Sequence, residues 1–406
     1  MAAPRKEIRL DDLMEPISHY TDAVLCGDFL YLSGAGPFDG DGALIGEGDV
    51  VRQCEATCAN IDRVLSAADM SPSDVVYFKV LMEEVNDGPR INPVRAEFHG
   101  DSRPGSTRVG VGHLALPGML LEIECVAYKP ANGGPPKQEI RCESLFEPPS
   151  HYVDVVKCGD YAFISGTGPV GRDGSAVLCG DPGKQAFKTM ENMEVMLDAA
   201  GMGFQDVCKV VCYLENVRDR PRINVARKHF FGGSRPCSTL FGVRRLAIPG
   251  MNHEIEAIAY RPGDGAPPRT EIRAPGIHEP ISHYTDAVQA GDFLFVSGQG
   301  PFDDALGLPG DTMTAQATQM HNNLQRIMAE AGFGFEDVAK VTAYLDDCDE
   351  RRELDAVRRT YFGPHRPAST LFGANRLALD GMKVELDAIC YRPGGGGAPT
   401  AGEPGT

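Results

Sequence analysis

Apolar residues recur at helical spacing between Asp49 and Ala68, where Val51, Cys54, Cys58, Ile61 and Leu65 fall on one face. Asp49 stands where a helix cap belongs. Before this stretch, Phe29–Leu32 predicts a short strand closed by Ser33-Gly34. After it, Val75–Val85 and Thr107–Leu114 predict strands around a short helix near Pro93–Phe98. Leu120–Tyr128 gives the clearest strand. There Leu121, Ile123 and Cys125 alternate with Glu122 and Glu124, which puts both carboxylates on one side. The order predicts a mixed α+β domain of about one third of the chain.

The same pattern then returns twice. EPISHYTDAV at Glu15–Val24 is repeated without change at Glu279–Val288, and EPPSHYVDVV stands between them at Glu147–Val156. The starting glutamates are 132 residues apart both times. CGDFLYLSGAGPF (Cys26–Phe38) matches CGDYAFISGTGPV (Cys158–Val170) and AGDFLFVSGQGPF (Ala290–Phe302). So long a period exceeds any solenoid unit, so each copy is expected to be a complete domain. The expected domains are residues 1–132, 139–262 and 271–393. Pro/Gly-rich joints at Ala131–Glu139 and Gly263–Thr270 separate them, and a disordered tail is expected at 394–406. A joint of about 8 residues spans at most roughly 25 Å, which favours a closed arrangement of touching domains over beads on a string.

The chain has 406 residues, with 42% hydrophobic and 24% charged content, as in globular domains. No apolar run of about 18 residues predicts a membrane span, and MAAPRKEIRL lacks the apolar core of a signal peptide. The twelve cysteines form no C-x-x-C pair. Cys54/Cys58 and Cys208/Cys212, each four apart, are read as buried thiols of a cytoplasmic protein. The net charge of −18 repels phosphate backbones, and no basic stripe offsets it, which argues against nucleic-acid partners. No H-E-x-x-H, P-loop, G-x-S-x-G or strand-to-helix G-x-G-x-x-G turn occurs, so no metal or nucleotide cofactor is implied.

The ordered set P-[IP]-S-H-Y-x-D, [LIV]-S-G-x-G-P, R-P-x-S-T and E-[IL]-[ED] resembles the Rid/YjgF family of reactive intermediate deaminases, three times over nearly the whole chain. The resemblance implies a small α+β domain that trimerises around a central barrel, with active sites in clefts between subunits. It also implies hydrolysis of an imine or enamine of a small metabolite without a cofactor. Three fused copies would then form an intramolecular pseudo-trimer, with further oligomerisation left open.

Carried over position by position, the resemblance marks the cleft tyrosines Tyr20, Tyr152 and Tyr284. It marks the serines after the first strand, Ser33, Ser165 and Ser297, and the asparagines Asn92 and Asn224, with Asp355 in copy three. Glu122, Glu254 and Glu385 fall where the family holds its hydrolytic water. The family's carboxylate-clamping arginine does not carry over, because Ser106, Ser238 and Ser369 occupy its place. Arg108, two residues beyond Ser106 on the same strand face, is the expected substitute in copy one. Leu240 and Leu371 stand there in the other copies, which are expected to be more apolar.

A carboxyl of raised pKa can donate and accept protons in turn, which fits Glu122, Glu254 and Glu385 to acid/base work. The plainer alternative is a charged, half-solvated strand face. Glu124, Glu256 and Asp387 are read as structural. His19, His151 and His283 are read as hydrogen-bonded structural residues, and Arg103, Arg235 and Arg366 as loop-fixing ones. The expected function is hydrolysis of a C–N bond. The alternatives are a non-catalytic small-molecule binder, favoured by the absent clamp, and a ribonuclease, opposed by the charge.

Overall fold

The computed structural model describes residues 4–395; the end of the expected tail, 396–406, lies outside the described residues. Each copy contains two long elements of helix packed on one face of a mixed sheet. They are α1 (Val50–Ala67) and α2 (Gly88–His99), α3 (Pro182–Ala199) and α4 (Arg220–Phe231), and α5 (Met313–Glu330) and α6 (Arg351–Phe362). Among the described residues no helix is long and apolar enough to cross a membrane.

The predicted elements form for the expected reasons. In α1, Val50, Cys54, Cys58, Ile61 and Leu65 are buried, and the Asp49 carboxylate caps the helix by accepting from the Val51 and Arg52 amides. The buried side chain of Gln53 donates to the Gly118 carbonyl at 2.8 Å and accepts from the Leu120 amide at 2.7 Å. Gln185 and Gln316 hold the same loop in copies two and three. Each glutamine thereby fixes the entry of the strand that carries Glu122, Glu254 or Glu385.

In copy one the sheet order is Lys6–Ile8, Ala23–Cys26, Phe29–Leu32, Leu121–Tyr128, Val75–Met82, Gly105–Gly110. Val75–Met82 and Gly105–Gly110 run parallel, joined by α2, while the other pairs are antiparallel. The Ser-Gly of the S-G-x-G-P phrase forms a register break. In copy two pairing with the glutamate strand shifts between Ile164 and Thr167, and in copy three between Val296 and Gln299.

The copies share their sheets. Arg245–Leu246 of copy two pairs with Val109–Gly110 of copy one. His113–Leu114 of copy one pairs with Phe372–Gly373 of copy three, and Gly242 of copy two bridges Arg376 of copy three. Copy one meets copy three by contacts that repeat those of the covalently joined copies. Arg5 donates to the Val338 and Arg366 carbonyls, as Arg269 does to those of Val207 and Arg235.

Between the copies lies an apolar cluster drawn from all three, including Tyr31, Tyr77, Phe163, Cys208, Phe293 and Ile389. Beside it run three buried ion pairs, each across a different seam: Lys79–Glu256 at 2.7 Å, Lys209–Asp387 at 2.6 Å and Lys340–Glu124 at 3.0 Å. Burial alone would raise the Glu124 pKa, but Lys340 and Lys79 outweigh it and hold the carboxylate well below its usual range. The second carboxylate of each strand, Glu124, Glu256 or Asp387, is thus a seam contact, in line with its structural reading.

Candidate active site

The register break at Ser165-Gly166 sets the site's geometry. The Ser165 hydroxyl donates to the Val153 carbonyl at 2.6 Å and accepts from the Ser106 amide of copy one at 2.9 Å. Ser297 and Ser33 make the same staple to the Ser238 and Ser369 amides. All three serine positions therefore join one copy to the next. The glycine that follows clears room for the acid. A Cβ would lie 1.8 Å from Glu122 Oε1 on Gly34, 2.1 Å from Glu254 Oε1 on Gly166 and 2.0 Å from Glu385 Oε1 on Gly298.

Glu122, Glu254 and Glu385 are buried, not solvated as the plainer reading of the strand would have them. Burial pushes each pKa up to about 8. Neighbouring Glu124, Glu256 and Asp387 add to the rise, while Lys340, Arg108 and Lys209 respectively oppose it. Among the described residues, Oε2 of Glu122 and of Glu385 has no hydrogen-bond partner.

Lining the same cleft as each glutamate is an arginine from the neighbouring copy, at a position the sequence pattern did not single out. Arg95, Arg227 and Arg358 lie on α2, α4 and α6 at equal positions, and all are buried to 1% exposure. Arg95 donates to Ser106 Oγ at 2.8 Å and Arg358 to Ser369 Oγ at 3.0 Å. Arg227 donates to the His283 carbonyl and lines the same cleft as Ser238. The serines thus do not leave the clefts without a guanidinium. Two of them hold one that arrives from the helix. Burial lowers the pKa of Arg95 and of Arg358 to about 10, which leaves both charged at neutral pH. The signal available in the sequence was an arginine recurring in all three copies four residues after an apolar helix position: Ile91–Arg95, Ile223–Arg227 and Leu354–Arg358.

Three seams result. The first brings Arg95, Ser106 and Arg108 of copy one against Tyr152, Ser165 and Glu254 of copy two, around a cavity of about 570 Å³. The second joins Arg220, Arg227, Ser238 and Leu240 to Tyr284 and Glu385, around about 50 Å³. The third joins Arg351, Arg358, Ser369 and Leu371 to Tyr20 and Glu122, around about 70 Å³. Leu240 and Leu371 stand beside two arginines each, Arg220 with Arg227 and Arg351 with Arg358. Burial raises the tyrosine pKa values, to about 12 for Tyr20 and Tyr284 and further for Tyr152, so the phenols stay protonated.

Asn92 and Asn224 sit behind the clefts. Their Oδ1 atoms accept from Ser150 and Ser282 at 2.7 Å, and Asp355 accepts from Ser18 at 2.6 Å. The aspartate in copy three keeps the acceptor that this contact needs. His19, His151 and His283 donate from Nε2 to the His365, Ser102 and Ser234 carbonyls across the seams, the structural role expected. Arg103, Arg235 and Arg366 fix their loops through backbone amides, which donate to Glu139, Glu271 and Glu7. Among the described residues no group of His, Cys, Asp and Glu is placed to hold a metal ion.

Residues 11–129, 142–261 and 274–392 each match one family model, described as Endoribonuclease L-PSP. A RutC family protein of Pyrococcus horikoshii is 37% identical over 116 residues, covering 28% of this chain and 90% of the relative. The 2-iminobutanoate/2-iminopropanoate deaminase of Salmonella typhimurium is 30% identical over 115 residues, 28% of this chain and 89% of that enzyme. Among solved structures, a chorismatase superposes with a TM-score of 0.51 over 79% of this chain and 93% of its own, at 13% identity, which is a likeness of fold alone.

Proposed function

Because the chain belongs to the endoribonuclease L-PSP (Rid) family in three tandem copies, we propose that it hydrolyses imines or enamines of small carboxylated metabolites in the seams of a fused pseudo-trimer. In this reading the three sheets turn one face inward as a central barrel. The sheet sharing and the repeated Arg5 and Arg269 contacts support that arrangement.

The observation that carries the function is that every seam is lined by both a buried guanidinium and a buried glutamic acid whose pKa is pushed up to about 8. The guanidinium holds the substrate carboxylate. The neutral carboxyl donates its proton to the imine nitrogen, which makes the carbon more electrophilic. The carboxylate so formed accepts a proton from water as its oxygen bonds to that carbon. A second donation from the regenerated acid converts the amine into a leaving group. The C–N bond then breaks, ammonia departs and the remaining hydroxyl proton is lost as the ketone forms. The protonated tyrosine orients the substrate. The deaminase named among the relatives acts on 2-imino acids, which supports this substrate class. The net charge of −18 opposes action on RNA.

The test is ammonia release from 2-iminopropanoate generated in place by an amino-acid oxidase. Acceleration that disappears in the Glu122→Gln/Glu254→Gln/Glu385→Gln variant supports the reading. No acceleration with any imine, beside measurable ligand binding, leaves a non-catalytic binder. X-ray scattering tests the arrangement: an elongated particle rejects the pseudo-trimer.

A further inference from the structure

Three of the differences between the first seam and the other two bear on what it can hold. Copy one has Gly88 at the start of α2 and Arg108 on the neighbouring strand. Copy two has Arg220 and Leu240 there, and copy three Arg351 and Leu371. Space explains why the pair changes together. A Cβ on Gly88 would lie 2.0 Å from an Arg108 terminal nitrogen and 2.1 Å from its Cζ. The arginine that copies two and three carry on the helix has in effect moved to the strand, and glycine makes room for it.

The move changes what the arginine can do. Arg220 donates to the Ala378 carbonyl and Arg351 to the Cys348 carbonyl, so both are tied to backbone. Among the described residues Arg108 makes no such bond, and its buried Nε has no partner, as is true of the Nε of Arg95, Arg227 and Arg358. Two guanidiniums thus share one cleft. The charge of Arg108 lowers the Arg95 pKa beyond the larger effect of burial. Of the acidic groups lining the site, Asp154 is occupied by Arg141 at 2.6 Å. Glu147 and Asp173 are exposed side chains of the neighbouring loops, and Glu254 has its pKa raised by burial. Among the described residues neither the buried Arg95 nor the half-buried Arg108 has an ion-pair partner. Glu254, the acid that acts on Arg108, is held largely protonated by burial, so the pair favours an anionic occupant.

The third difference is volume. Val170 stands where copies one and three have Phe38 and Phe302. Phe38 lines two separate cavities of about 70 Å³ each, one in the third seam and one beside it within copy one. In the first seam, with valine there, the corresponding space is one cavity of about 570 Å³, the size of a ligand site rather than of a few atoms.

We infer that the seam between copies one and two is selective for 2-imino acids carrying a second acidic group, with Arg95 and Arg108 dividing the two carboxylates between them. The inference rests on the imine-hydrolysis reading proposed above.

The experiment uses the full chain. Ammonia release is measured with 2-iminoglutarate and with 2-iminopropanoate, each made in place by an oxidase, and calorimetry follows glutarate against butanoate. The expected result is preference for 2-iminoglutarate and one glutarate site per chain. Arg108→Leu, the residue of the other copies, should weaken glutarate roughly ten- to hundredfold and leave butanoate less affected. Val170→Phe should exclude glutarate by filling the cavity, with melting curves confirming that both variants fold. Glutarate binding at one site, lost in both variants, without hydrolysis of either imine supports the selectivity and rejects the hydrolysis. Hydrolysis of 2-iminopropanoate without a glutarate site, or glutarate binding untouched by both variants, overturns the inference and leaves the proposed function standing.

Discussion

Arg95 of α2 places its guanidinium 2.8 Å from the hydroxyl of Ser106, and that hydroxyl in turn donates a hydrogen bond to the Phe78 carbonyl at 2.7 Å. The serine is a seat for the cation. Because Arg95 also donates to Ser150 of copy two at 3.0 Å, the same group ties the seam together.

Removing the guanidinium from every seam tests its grip on carboxylates. Arg95→Gln/Arg227→Gln/Arg358→Gln should raise KM for 2-iminopropanoate by roughly tens- to a hundredfold, the size expected for a lost charge-assisted pair. Steady-state kinetics measures it. An unchanged KM would mean that the carboxylate lies elsewhere.

The glutamates predict a pH profile. The acid form starts the reaction, so kcat/KM should fall as pH rises through about 8. Substitution of all three by glutamine should lower kcat by roughly 10²- to 10⁴-fold. A flat profile between pH 7 and 9 would exclude these carboxyls as the acid.

The same groups couple stability to pH. Their folded pKa of about 8 lies above the ordinary 4.5. The folded state therefore keeps protons that the unfolded chain releases. The resulting stabilisation is complete below about 4.5 and is lost as pH rises toward 8. Melting temperatures of the native chain and the triple glutamine variant, compared at pH 6 and pH 8.5, should differ in slope, with the variant flatter.

Gly166→Ala is a steric test of the acid. The new Cβ would meet Glu254 Oε1 at 2.1 Å and Thr107 Oγ1 at 2.7 Å, so the carboxyl must shift. Activity at the first seam should drop sharply, while stability falls by about 1–3 kcal/mol. Single-seam kinetics, in a chain whose other two glutamates are glutamine, reads this directly.

Lys79 lies between Glu256 at 2.7 Å and Glu124 at 3.3 Å. Lys79→Met should destabilise the chain by about 3–5 kcal/mol, because it leaves buried carboxylates short of a counter-charge. Denaturant unfolding measures the loss.

The sequence alone determined the threefold repeat, the α+β order and the glutamates of the strand. Each rests on local periodicity and on spacing along the chain, which survive without knowledge of neighbours. Asp49 capping α1 and the alternation at Leu121–Cys125 are of this kind. Only the tertiary structure decided where the cations go. Arg95 on a helix reads as an ordinary polar position until another strand's serine and another copy's loop are seen to enclose it. Gly88 reads as a helix start until Arg108 is found in the space beside it. Burial and charge pairing depend on groups far apart in the chain, and those distances are fixed only when the copies pack.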